Sequence, residues 1–310
     1  MTAHTARRLL DVSTLSGDEL AIARSVIYAS LFDYPLTLAQ LRQTLIESVQ
    51  TPSQILATYD RSDALQAAVE YRDGFFFPRG AIALVKERRE REARSRAFLA
   101  RHRFLLTLVA GMPYVQMVAL SGSIAHLNLE GDGDLDLFIV TRGRRVWSVT
   151  VAVVVLAKLL GRRRIVCANF VVADSRLALD QPDLFTASQI VHLKPLVGGD
   201  VFSRFVAANP FVGRFYPNFH AAGAATIPFK LGRSLLAVKK IAETIFALPS
   251  IGVEALCRLA YRGYLRRRSL SWESPEQVRL QDDCLKLHTR SHRKSVMERF
   301  EQTVRSSLRS

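Results

Sequence analysis

The sequence predicts an α+β chain in three parts, and three observations carry that expectation. Helix-spaced apolar positions precede an Asp-Gly hairpin in the first 80 residues, two short apolar strands enclose a glycine-rich acidic stretch near the middle, and basic, helix-periodic sequence fills the last 82 residues. With 310 residues, 49% apolar and 23% charged, the chain can bury a large core, which excludes wholesale disorder and a collagen-like repeat. Its 43 basic and 28 acidic residues give +15, an excess that favours contact with phosphate, nucleic acid or an anionic surface.

Leu20, Ala23, Val26, Ile27 and Leu31 recur at helical spacing from Asp18 to Phe32, and Tyr34-Pro35 ends that run. Thr37 reads as an N-cap for a helix over Leu38 to Ser48. Thr51-Pro52, a cap followed by a proline suited to a first turn, opens a third helix to about Tyr59. Ala68–Tyr71 and Phe75–Phe77 then flank Arg72-Asp73-Gly74, a favoured hairpin turn. Three helices and a hairpin read as a winged helix over residues 1–80. A DNA-reading third helix needs Arg, Lys, Asn or Gln aimed at base edges, yet Thr51 to Asp60 offers Gln54 and no Lys or Arg. The favoured reading is packing against the rest of the chain or a partner protein. Residues 81–112 form a linker helix, spanning about Ile82 to Ala110, whose mixed charges from Lys86 to Arg96 read as a solvated face.

No secretory signal is visible, and Cys167, Cys257 and Cys284 lack close pairing, so they read as reduced thiols in a cytoplasmic protein. The most apolar stretch, Val146 to Leu160, is fifteen residues long and reads as a buried helix, because a bilayer needs roughly 20.

The chemistry concentrates in residues 113–228. Val115–Leu120 and Leu135–Val140 read as strands. Between them lie Gly122-Ser123, ten intervening residues, and Asp134-Leu135-Asp136. Strand alternation puts Asp134 and Asp136 on one face, where the pair would repel itself without a cation. Oxygen ligands are what Mg²⁺ demands. Gly122 lets the backbone approach a phosphate, and Ser123 adds a hydroxyl and an N–H. A phosphate donor and its metal are implied together.

On Gly122-Ser123 and Asp134-Leu135-Asp136-Leu137 the segment from about Val115 to Val172 resembles the nucleotidyltransferase superfamily that shares the polymerase-beta palm. More loosely, the whole chain is similar to bacterial nucleotidyltransferase-domain proteins that carry an N-terminal winged helix. The resemblance implies a palm with a mixed sheet, Mg²⁺, and transfer of a nucleoside monophosphate from an NTP to a hydroxyl acceptor, whether protein, nucleic acid or small molecule. By carry-over Asp134 and Asp136 hold metal and serve catalysis, while Gly122 and Ser123 position the triphosphate. The family's third carboxylate belongs on a later strand. Here the strand about Arg164 to Val172 carries no acid and only Asn169 as a polar interior residue, so either Asp174 just beyond it takes the catalytic role or the ligand is missing. The second case would make the chain a lapsed, nucleotide-binding palm acting as a regulator or scaffold through its winged helix. Lys194 is a further nucleotide-binding candidate, weighed against a helix-end lysine before Pro195. His126 reads as a surface histidine, Asp132 as a turn residue, and Arg162, Arg163 and Arg164 as cations closing a helix.

Residues 229–310 read as a basic helical region. They hold 17 basic and 8 acidic residues, nine of the fifteen surplus positive charges, densest at Arg266-Arg267-Arg268 and from His288 to Lys294. An RNA or DNA acceptor, an anionic membrane or an acidic protein would suit that surface, and Val296 to Leu308 reads as a last amphipathic helix.

Overall fold

The computed structural model describes residues 15–131, 133–223, 227–287 and 293–308, with side chains to residue 304. Asp132, the first fourteen residues and the His288–His292 part of the basic cluster lie outside the described residues. The chain is a mixture of helices with two sheets.

Three of the first helices begin at capping boxes. Ser16 with Glu19 opens Gly17–Ser30, Thr37 with Gln40 opens Leu38–Gln43, and Thr51 with Gln54 opens Pro52–Arg61. The second helix stops five residues short of Ser48. Thr44 turns its hydroxyl onto the Gln40 carbonyl, Leu45 and Ile46 are buried, and Glu47 takes φ +56 so that its N–H reaches the Phe215 carbonyl. A tertiary contact therefore overrides local helical preference. Asp63–Ala68 is an additional helix, capped by the Ser62 hydroxyl on the Leu65 N–H.

Strand β1 (Leu36–Thr37), β2 (Val69–Arg72) and β3 (Phe75–Pro78) form an antiparallel sheet in the order β1-β3-β2. Asp73 at φ +53 and Gly74 at φ +83 make the two-residue connection between β2 and β3, as left-handed hairpin turns require. Ile22, Leu41, Ile55, Leu65 and Phe76 are the centre of this unit's own core.

The linker helix breaks at His102 into Ala83–Arg101 and Arg103–Ala110. Its charged half is not a solvated face throughout. Arg88 is buried over the Tyr34 ring at 3.8 Å and donates to the Pro35 carbonyl at 2.7 Å. Arg91 is buried beside Glu87 at 2.5 Å and Glu130 at 3.4 Å.

The second sheet is mixed, in the order β7-β4-β5-β6-β9-β8, from β4 (Val115–Leu120), β5 (Leu135–Thr141), β6 (Val166–Ala173), β7 (Lys194–Val197), β8 (Arg279–Leu280) and β9 (Cys284–Lys286). Among the described residues only β5 and β6 pair in parallel, joined by the crossover helix Val146–Leu159. That helix buries Trp147, Val149 and Val153 on one sheet face with Leu137 and Ile139, but leaves Val155 and Leu159 exposed. Phe138, Val140 and Val172 point to the other face, which is covered by the helices Leu184–His192, Gly199–Ala207 and Phe211–Phe215 and also meets Tyr28 and Phe300. The β8–β9 hairpin on the edge of β6 was not legible among the helices expected after residue 229, because its strands have two and three residues. Helices do fill Arg233–Ile245, Pro249–Arg267 and Arg293–Leu308. Among the described residues no helix is long and apolar enough to cross a membrane.

Candidate functional site

The site forms where β4 and β5 run side by side. Ser121 follows β4 and donates its N–H to the Asp136 carbonyl at 2.8 Å. The chain then turns at Gly122, φ +63, into the short helix Gly122–Ala125. A Cβ at Gly122 would stand 2.4 Å from Asp136 Oδ2, so only glycine lets the turn lie against that carboxylate. Ser123 is exposed beside it. The linker helix fixes the loop that follows. Arg94 donates to the Leu129 and Glu130 carbonyls at 2.8 Å, and the Ser95 hydroxyl accepts from the Leu129 N–H.

Asp136 pairs with Cys167 across the parallel strands, and an irregularity between Asp136 and Phe138 inserts one extra residue in β6. That bulge brings Asn169 as well as Cys167 to the acid pair. Asn169 donates its Nδ2–H to Asp136 Oδ1, and one ligand atom each from Asp134, Asp136 and Cys167 all lie within 4.8 Å of one another. Burial, then the charge of Asp134, push the Asp136 carboxyl up to about 7, against the Asn169 hydrogen bond. Burial and the same two acids push the Cys167 thiol up to about 11, leaving it neutral at pH 7. Cys167 was read from sequence as an ordinary thiol. Its strand alternation was visible, but its pairing with Asp136 across 31 residues was not.

Two predicted residues lie elsewhere. Asp174 is one residue past β6, seven positions beyond Cys167 and therefore roughly 23 Å along the strand at ~3.3 Å per residue. It accepts from Gln116 Nε2 at 2.8 Å and from the Gly143 N–H at 2.9 Å, which ties down the turn after β5. Lys194 starts β7 opposite Leu120 and lines a cavity of about 450 Å³ with Tyr34, Arg88 and His126, a wall that includes none of Gly122, Ser123, Asp134 or Asp136. Burial lowers its pKa. His126 is no surface histidine. Its Nδ1 is buried without a partner, and its ring stands 4.1 Å from that of His192. Burial holds both rings well below the usual imidazole range, His192 at about 4, so both are neutral at pH 7.

Two cavities lie beside Asp136, one lined by it and the other by its hydrogen-bond donor Asn169. A cleft of about 720 Å³ between the N-terminal unit and the sheet includes Gly122, Ser123, Asp136, His126 and His192 in its wall. A smaller cavity of about 120 Å³ includes Ser121 and Asn169. Phe185 and Gln189 belong to both walls. No protein-family model, curated protein or solved structure matches the chain, so the chemistry of these residues carries the functional reading.

Proposed function

We propose that the chain is a Mg²⁺-dependent nucleotidyltransferase, with the six-stranded sheet as a polymerase-beta-like palm and the N-terminal unit as a winged helix that walls the substrate cleft. The observation that carries this reading is the Gly122 turn lying against Asp136, itself crowded by Asp134. A glycine turn beside paired carboxylates serves a phosphate and its cation together. The donor set fits Mg²⁺: two adjacent carboxylates, one of them hard to ionise because of burial and then its neighbour's charge, suit a divalent cation, and oxygen is the ligand it prefers. Neutral Cys167 is a soft donor and stands beside that pair without completing it. When bound at Asp134 and Asp136, Mg²⁺ would neutralise charge on the phosphates.

The chain's own part is positioning. Backbone N–H groups at Gly122 and Ser123 hold the triphosphate, and Asn169 fixes the Asp136 carboxylate. An acceptor hydroxyl oxygen bonds to the α-phosphorus, the α–β anhydride bond breaks, pyrophosphate leaves with the bonding pair, and the hydroxyl proton passes to water. The free thiols Cys167, Cys257 and Cys284 support a cytoplasmic setting. Incubation with each labelled NTP and Mg²⁺ should transfer label at a rate that falls at least about 100-fold in Asp134→Asn/Asp136→Asn. Equal transfer by both proteins would remove the reading.

One observation favours a second reading. The superfamily that the chain resembles carries a third carboxylate on a later strand as a base, whereas β6 brings Cys167 and Asn169 to the acid pair, and neither is an anion at pH 7. A lapsed palm would bind NTP without releasing pyrophosphate, and its winged helix would then carry a regulatory role.

A further inference from the structure

In-line displacement brings the attacking oxygen to the α-phosphorus from the side opposite the leaving group, so two substrates approach such a site from two sides. The Gly122 turn belongs to the large cleft. A second opening, the cavity of about 120 Å³, reaches the site through Ser121 and through Asn169, the hydrogen-bond donor of Asp136, and has Phe138, Phe170 and Phe185 in its wall. Arg279 and Lys286, directly opposite each other on β8 and β9, also line it. Like charges so paired destabilise a hairpin unless something lies between them. Neither makes an ion pair among the described residues. Arg279 donates to the Glu276 carbonyl and Lys286 to Gln277 Oε1. The other two cations of the wall are engaged: Arg176 with Asp180 and Asp283, Arg293 with Asp183. Burial, then Arg279, lower the pKa of Lys286, a cost that an anion would relieve.

We infer that this cavity is the acceptor half-site and that the acceptor is a small phosphate monoester with an aromatic or apolar body, its phosphate on Arg279 and Lys286. A cavity of about 120 Å³ has room for one ring. The assignment of the acceptor rests on the transferase reading, whereas the anion site does not, so the test is run with full-length protein in EDTA and without NTP. Phenyl phosphate titrated calorimetrically should bind, phenol should bind at least tenfold more weakly, and Arg279→Gln/Lys286→Gln should lose at least tenfold in affinity. Lys286→Met, which keeps the buried stem, should move the same way if the double variant does not fold. Equal binding of phenol and phenyl phosphate, or unchanged affinity in the variants, would overturn the site. Loss of label transfer alone would count against the transferase reading and not against this one.

A different observation carries a second inference. The helices Arg233–Ile245 and Pro249–Arg267 expose a run of large apolar side chains, among them Ile245, Leu248 (81% exposed), Ile251, Leu256 and Leu259 (77%). Leu159 of the crossover helix, which packs against Pro249–Arg267, is also exposed. Both acids on these two helices turn inward. Glu243 accepts from the Tyr114 N–H and Arg142, and Glu254 accepts from the Trp147 and Ser148 N–H groups. What remains outside is apolar surface with Arg233, Lys240, Arg266, Arg267 and Arg268. Apolar surface bordered by cations, with both of the helices' own acids turned inward and Asp282 paired to Arg258, matches an anionic lipid surface, and no described helix can span a bilayer.

The geometry points to in-plane docking of these helices on an anionic membrane. Full-length protein should float with phosphatidylcholine vesicles containing phosphatidylglycerol, at least about tenfold less with phosphatidylcholine alone, and less again at high salt. Leu256→Glu/Leu259→Glu, at exposed positions, should abolish flotation while keeping the wild-type circular dichroism. Flotation that ignores lipid charge, a variant that floats like wild type, or absent flotation with a dimer seen by light scattering and lost in the variant would each overturn the proposal.

Discussion

Asp136 and Asp174 are the same residue type at opposite ends of one pair of parallel strands, and their surroundings differ in every respect that matters. Asp174 has two short hydrogen bonds from Gln116 and Gly143 and no neighbouring acid in its hydrogen-bonding partners. Asp136 has Asp134 beside it, a glycine pressed against one oxygen and a single side-chain donor on the other. A carboxylate with its hydrogen bonds made steadies a turn; one largely buried beside another acid is what the proposed Mg²⁺ site rests on. The sequence assigns metal to Asp134 and Asp136 and leaves open whether Asp174 joins them, and the strand register sets Asp174 apart.

The comparison can be broken in several places. The largest effect is expected at Gly122→Ala, where the new Cβ meets Asp136 Oδ2 at a backbone conformation alanine resists. Label transfer should fall by about 100-fold or more. Transfer within threefold of wild type would mean that the turn's contact with Asp136 has no catalytic weight. Asp174→Ala should behave in the opposite way, with nucleotide affinity kept and about 1 kcal/mol lost in chemical denaturation, because the half-buried Gln116 amide and the exposed Gly143 N–H lose their acceptor. Loss of activity at unchanged stability would return Asp174 to the catalytic set.

A smaller effect concerns the neutral histidines of the cleft. His192 has its folded pKa lowered from 6.5 to about 4, so the unfolded chain binds more protons between those values. Stability should therefore be full above about pH 6.5 and decline as pH falls toward 4, by on the order of 1 kcal/mol once its partial exposure is allowed for. His192→Gln should flatten that slope, and a slope unchanged in the variant would assign it elsewhere. The smallest effect is expected for Cys167→Ser, under about threefold in Mg²⁺-supported transfer, since a neutral thiol adds little to an oxygen-bound cation. A tenfold fall would make the sulfur a ligand and the metal a softer one.

Local signals in the sequence were read correctly where they are self-contained. The caps Thr37 and Thr51 close their boxes three residues away, and Asp73-Gly74 needs only its own left-handed backbone, whereas the Ser16 cap of the first helix escaped the reading. The juxtaposition of Gly122 with Asp136 also follows from two adjacent antiparallel strands. What escaped depends on pairings between distant segments. Cys167 joins the site through a parallel register and a bulge, and Arg88 and Arg91 are buried because Tyr34, Pro35 and Glu130 come to them. The β8–β9 strands are too short to show a period at all.

Those buried arginines also refine what the +15 means. Charge in the linker helix holds the N-terminal unit and the acid loop in place, whereas after Phe229 Arg233, Lys240, Arg266, Arg267 and Arg268 face outward and Arg279 and Lys286 line the aromatic cavity. The basic excess is thus divided between scaffolding and two candidate contacts.

The central claim is that Asp134 and Asp136, and not Asp174, bind metal with nucleotide. Calorimetric titration of a non-hydrolysable NTP, with and without Mg²⁺, tests this without knowledge of the acceptor. Mg²⁺ should raise affinity at least about tenfold in the wild type and in Asp174→Ala, and should have no effect in Asp134→Asn/Asp136→Asn. Equal Mg²⁺ dependence in all three proteins would contradict it.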